Sequence, residues 1–149
     1  MTLNRRECLQ TLALAYIPFP SMQCSAQVLD DLWAATEPAA MPALDWGDLR
    51  AVMARWRRST WSQVVTGHHD DLQTMLHDSI EAAAQQVSPE RPPTVVVVLR
   101  GGSSLHLDQC RAVSSPFHRA VGTCSELWFA AAPDPTLVAK LRLTVVVSG

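Results

Sequence analysis

Glycine is scarce in this sequence, with six residues in a chain of 149, and only Gly101 and Gly102 are adjacent. A phosphate-cradling loop needs clustered glycines so that backbone N–H groups can converge on oxygen, and no residue here is assignable to a nucleotide on that basis. Charge is scarce too. Only 17% of residues are charged and the formal net charge is −2, so there is no global attraction to nucleic acid or to anionic membranes. No stretch reaches about 18 uninterrupted apolar residues, which argues against a transmembrane helix. The four cysteines, Cys8, Cys24, Cys110 and Cys124, include no Cys-x-x-Cys pair, so a zinc knuckle lacks support. They read as small buried hydrophobes of a reducing compartment. A Cys110–Cys124 disulfide is the alternative in an oxidising one.

What the chain does have is a core. Hydrophobic residues make up 48% of it, and the length suits one domain. Residues 1–25 stand apart as an N-terminal segment. Arg5 and Arg6 precede an uncharged stretch from Cys8 to Leu29, which resembles a twin-arginine export signal with small residues at Cys24-Ser25-Ala26. Pro18 and Pro20 interrupt it, and the other reading is a helix packed on the domain. The expected location is cytoplasmic, with a periplasmic one as the alternative if that signal is used.

Residues 26–149 read as alternating helices and strands. "AQVLDDLWAAT" puts Val28, Leu29, Leu32 and Trp33 on one helical face, and Pro38 and Pro42 then force a loop. A helix starts at Trp46 behind Asp45 as N-cap, with Leu49, Val52, Met53 and Trp56 inward and Asp48 beside the positive helix end. "STWSQVVT" reads as a strand stopping at Gly67, and Asp70 and Asp71 open a helix to about Gln86 with Leu72, Met75, Leu76, Ile80 and Ala83 inward. "TVVVVL" reads as a central strand covered on both sides. A helix follows from Leu107 to Val121 with Leu107, Cys110, Val113, Ser114, Phe117 and Val121 inward, where Pro116 predicts a kink or an early stop. Strands at Glu126–Ala132 and Lys140–Ser148 end the chain. In the second, Lys140, Arg142 and Thr144 alternate with leucines and valine, which predicts one wet face. The sum is an α/β domain of the two-layer α+β sandwich type, with helices packed on about four strands.

Three segments carry a family resemblance. "ALDWGDLRAVM" resembles the catalytic loop and following helix of the FtsZ/tubulin family, "VVVVLRGGSSLHLDQ" a later strand, glycine-pair turn and helix start, and "PDPTLVAKLRLTVVVSG" the closing hairpin. The resemblance covers about Ala26 to Gly149 and implies the C-terminal domain of that family, standing alone without the GTP-binding domain. It also implies a role for Asp45 and Asp48. In the family, the matching pair completes the nucleotide site of a neighbouring subunit and polarises the attacking water, a task suited to carboxylates. Ala43 departs from the family's asparagine, and "RWRRSTWSQ" replaces the glycine- and methionine-rich strand after the helix.

The implied partner is an FtsZ/tubulin-like GTPase, whose assembly this chain would modulate. GTP and Mg would sit in the partner and no cofactor on this chain. A separately encoded half of a split GTPase and an exported binding module are the alternatives. Arg55, Arg57 and Arg58 with Trp56 and Trp61 read as a solvated or subunit-facing surface before a nucleic-acid patch. His68, His69, Asp70 and Asp71 read as an exposed turn, because adjacent histidines are expected to diverge and no further ligand is spaced to close a metal site. His106 and His118 stand alone. Ser103 and Ser104 lack a nucleophile elbow and a definable base.

Overall fold

A computed structural model describes residues 25–56, 60–88, 90, 92–103, 105–121 and 126–148. The N-terminal segment, the Cys110–Cys124 pairing, Arg57, Arg58 and Ser104 lie, wholly or in one partner, outside the described residues. Cys110 itself is a buried free thiol.

The elements in chain order are α1 (Ala26–Ala34), α2 (Trp46–Ala54), β1 (Trp61–His68), a 3-10 turn (His69–Asp71), α3 (Leu72–Ala84), β2 (Thr94–Gly101), α4 (Leu107–Val121), β3 (Glu126–Pro133) and β4 (Lys140–Ser148). The four strands form one mixed sheet in the order β1-β4-β2-β3. β4 runs antiparallel to both neighbours, and β2 pairs parallel with β3 through the α4 crossover. The α/β class and the four-stranded sheet expected from sequence are both present.

Strand alternation sends β2 and β4 side chains to two covered faces. Val95, Val97 and Leu99 join Leu141, Leu143, Val145 and Val147 on one face, where α3 adds Met75, Leu76 and Ala83 and α4 adds Cys110, Val113 and Phe117. Val96, Val98 and Val146 point to the other face, against Val28, Leu32 and Ala35 from α1 and its C-cap, and Leu49, Val52 and Met53 of α2. The two-layer arrangement thus describes the sheet with α3 and α4, and α1 and α2 cover the opposite side.

Four local expectations are corrected. β1 does not stop at Gly67 but runs to His68. A Cβ at Gly67 would come within 2.7 Å of Met75 Sδ, so the glycine lets the strand pass under α3 rather than ending it. Pro116 neither stops nor shortens α4, which continues to Val121. Leu107, at the first turn of α4, is 58% exposed and not inward. Finally, the predicted wet face of β4 is wet only at Lys140: Arg142 is 9% exposed and Thr144 0%. β4 lies between β1 and β2 under helices on both sides, so these two side chains are sealed by α1 instead of reaching water.

Candidate functional site

The polar residues of β4 are held by a carboxylate from α1. The buried stripe of that helix is Val28, Asp31, Leu32 and Ala35, spaced i, i+3, i+4, i+7, so Asp31 faces the sheet with 0% exposure. This rotates the helix away from the face expected from Leu29 and Trp33, both of which are half-buried.

Asp31 accepts from Arg142 Nη2 at 2.8 Å, from Arg142 Nε at 3.1 Å, from Arg100 Nη1 at 3.1 Å and from Thr144 Oγ1 at 2.6 Å. Arg100 and Arg142 are direct partners across the β2–β4 ladder. Asp134, in the turn after β3, takes Arg142 Nη2 at 2.9 Å, and the backbone N–H and hydroxyl of Thr136 close on its other oxygen. Arg100 also donates to the carbonyls of Ala132 and Pro133. Two arginines and two aspartates therefore balance inside the fold, each guanidinium fixed by several acceptors. Burial pushes the Asp134 carboxyl up, but the Thr136 and Arg142 hydrogen bonds and the Arg100 charge outweigh it and hold the group below the ordinary value. Burial likewise pulls Arg142 down, and its two aspartate partners more than reverse this. The network is an anchor for α1, the turn after β3 and the ends of β2 and β4, with no group left free for chemistry.

The loop from α1 to α2 is tied down at three points. Leu44 N–H donates to the Ala35 carbonyl at 2.8 Å, Met41 N–H to the Ala131 carbonyl at 2.8 Å, and Ala131 N–H to the Pro42 carbonyl at 3.0 Å. Trp46 packs edge-on against Trp33 with ring centroids 5.4 Å apart, which pins the start of α2 to α1.

These contacts position Asp45 and Asp48 at the head of α2. Asp45 is the N-cap, its Oδ1 accepting from Gly47 N–H at 2.8 Å and Asp48 N–H at 3.2 Å. Asp48 lies in the first turn, exposed, and its carboxylate bonds to no other described residue. The two acids thus divide the work: Asp45 is spent on the helix end, and Asp48 stands in solvent at the positive pole of the helix.

Arg55 pairs with Glu126 at 2.7 Å on the surface, and Trp56 is buried in the core under α2. Ser103 and His69 line an open cavity of ≈ 450 Å³ with Leu137, Val138 and Ala139. The adjacent histidines do not diverge. His68 and His69 stack with centroids 4.3 Å apart, and both meet Asp70. Strand alternation fails there because β1 ends at His68 and the chain enters the 3-10 turn. Among the described residues, no helix is long and apolar enough to cross a membrane.

No protein-family model and no curated protein matches the chain. Solved structures do. An empty FtsZ dimer from M. jannaschii superposes with a TM-score of 0.68 at 14% identity, covering 83% of this chain and 36% of the FtsZ chain. A tryptophan-to-tyrosine mutant of FtsZ from M. jannaschii gives a TM-score of 0.61 at 14% identity, covering 94% of this chain and 44% of that one. The chain spans less than half the length of the FtsZ chains it matches. Its fold is FtsZ-like and takes in one part of that protein, in agreement with the C-terminal-domain resemblance read from its sequence.

Proposed function

We propose that this FtsZ-like unit docks on an FtsZ/tubulin-like GTPase through the surface carrying Asp45 and Asp48 and modulates its GTP-dependent assembly in the cytoplasm. The observation that carries the reading is the division of labour at the head of α2: Asp45 makes the cap, so the Asp48 carboxylate, which favours the helix dipole from the first turn, stays exposed behind a firmly anchored loop and is open to a partner. Placed against a partner's nucleotide site, Asp48 would orient the attacking water, while GTP and Mg belong to the partner. Where this surface alone engages the partner, it fills one longitudinal interface and does not propagate the filament, because heterologous contacts polymerise only when both ends are present. Ala43, where the family has asparagine, predicts weaker activation than the family's own loop gives.

The test begins with the FtsZ-like GTPase that co-purifies with the tagged chain from its host; if none does, the docking reading fails. Partner GTP hydrolysis is then measured with saturating wild-type or Asp48→Ala protein, binding being checked separately. The expected result is retained docking with turnover reduced about 100-fold, the usual cost of losing a water-orienting group. Equal rates at equal binding would end the catalytic role and leave an interaction module. A split GTPase, in which this chain is a separately encoded half, is distinguished by the partner showing no turnover until the chain is added.

A further inference from the structure

We infer that His68, His69 and Asp70 form a surface site for a divalent transition-metal cation of the zinc class.

His69 Nδ1 lies 3.2 Å from the Ala139 carbonyl, and His69 N–H donates to that same carbonyl at 3.2 Å. A carbonyl only accepts, so Nδ1 carries the hydrogen and Nε2 of the neutral ring carries the lone pair. That Nε2 faces Asp70 Oδ1 at 3.0 Å. In His68 the Nδ1 atom accepts from Asp70 N–H at 3.3 Å, so it too presents a lone pair, and it stands 3.2 Å from Asp70 Oδ2. Two unprotonated imidazole nitrogens therefore converge on the two oxygens of one carboxylate. Lone pairs at that range repel unless a positive centre sits among them. A cation bound by all three groups turns both contacts into shared coordination.

The geometry suits such a cation. Zinc bonds of about 2.0–2.1 Å in a tetrahedral site put neighbouring donors about 3.3 Å apart. Here the carboxylate oxygens are 3.0 and 3.2 Å from the ring nitrogens, and the three donor atoms all lie within 4.8 Å of one another. Two imidazoles with one carboxylate favour zinc, cobalt or nickel over magnesium and calcium, which take all-oxygen sites. The Ala139 carbonyl holds the outer nitrogen of His69, the kind of partner that fixes ring and tautomer for a metal-bound histidine. The residue supplying that carbonyl has φ of 54°, a conformation alanine rarely adopts. Three protein donors leave coordination positions open to solvent, and His69 also lines the ≈ 450 Å³ cavity formed with Gly102, Ser103 and Leu137. His68 and Asp70 are exposed, so water can complete the shell.

The test is calorimetric titration of the full chain with Zn²⁺, paralleled by the visible spectrum of Co²⁺ as a report on coordination. Saturable one-to-one binding is expected. Asp70→Asn and His69→Ala should each weaken it by more than about tenfold, since even an outer partner of a bound histidine costs that much. His77→Ala, on α3, should leave it unchanged. Asp70→Asn keeps the side-chain shape at an exposed position, so it separates loss of a ligand from loss of the fold. Added Zn²⁺ should raise Tm for the wild type and not for Asp70→Asn. The proposal is overturned if no saturable binding is seen. It is equally overturned if binding persists undiminished in Asp70→Asn and His69→Ala, which would assign the metal to cysteines elsewhere in the chain.

Discussion

The two faces of the sheet solve the same burial problem by different chemistry. Under α3 and α4 the contact is apolar: β4 contributes Leu141, Leu143, Val145 and Val147, and the helices answer with Met75, Leu76, Val113 and Phe117. Under α1 the same strand contributes Arg142, Thr144 and Val146, and the helix answers with Asp31 set in an apolar surround of Val28, Leu32 and Ala35. Apolar contact tolerates sliding and repacking, because it is non-directional. A carboxylate meeting two guanidinium groups and a hydroxyl at fixed distances sets the rotation and height of α1 on the sheet. The loop that delivers Asp45 and Asp48 leaves from the end of that helix, so the polar face is where position matters more than bulk.

Three measurements break or sharpen this contrast. The largest effect is expected from Asp31→Ala, which strips the central carboxylate from two buried arginines and should cost about 3–5 kcal/mol in denaturant unfolding. Replacing Asp31, Arg100, Arg142 and Asp134 together by uncharged residues of similar size should recover most of that loss, because a buried ion cluster contributes little net stability beside well-packed apolar groups. If the quadruple variant is as unstable as the single one, the network does more than orient. A smaller change is expected from Asp45→Ala, about 1 kcal/mol for a lost N-cap.

The smallest effect is in the pH dependence of Tm, which should differ between the faces. The depressed Asp134 gives stability that is present above its unfolded value, near pH 4, and is lost as pH falls through the lower folded value. On the apolar face, burial raises the Cys110 thiol, so its contribution is intact below about pH 8.5 and is lost as pH rises beyond it. Asp134→Asn should flatten the acid limb and Cys110→Ala the alkaline one. A profile unmoved by either change would remove the electrostatic distinction between the faces.

Legibility in the sequence followed the same division. The bounds of α4 and β4, Leu107–Val121 and Lys140–Ser148, were readable because apolar periodicity and flanking turns dominate there. Asp45 as a cap was readable because capping is local. Asp31 was not, since a charged residue beside Asp30 reads as solvated, and only the stripe of Val28, Leu32 and Ala35 shows that it belongs inside. Arg142 and Thr144 were misread because alternation reports two chemical faces and does not report whether the second is covered. The convergence of His68 and His69 was hidden because it depends on where β1 ends, and the strand runs past the glycine that looked like its stop. Nothing local distinguishes the two roles open to Asp48. That difference lies in what the exposed carboxylate meets.

One further consequence comes from the turn at Met41 and Pro42. β3 is an outer strand, and an outer strand is open to strand addition by another chain. At Ala131 both backbone groups are already occupied by that turn. A foreign strand could pair through Ala131 only by displacing the turn, and displacing it would release the loop that fixes Asp45. Sheet extension through this part of β3 and a correctly set α2 therefore compete. Aggregation that runs through Ala131 should begin with loss of order at the head of α2, and anything that grips that helix end should suppress it.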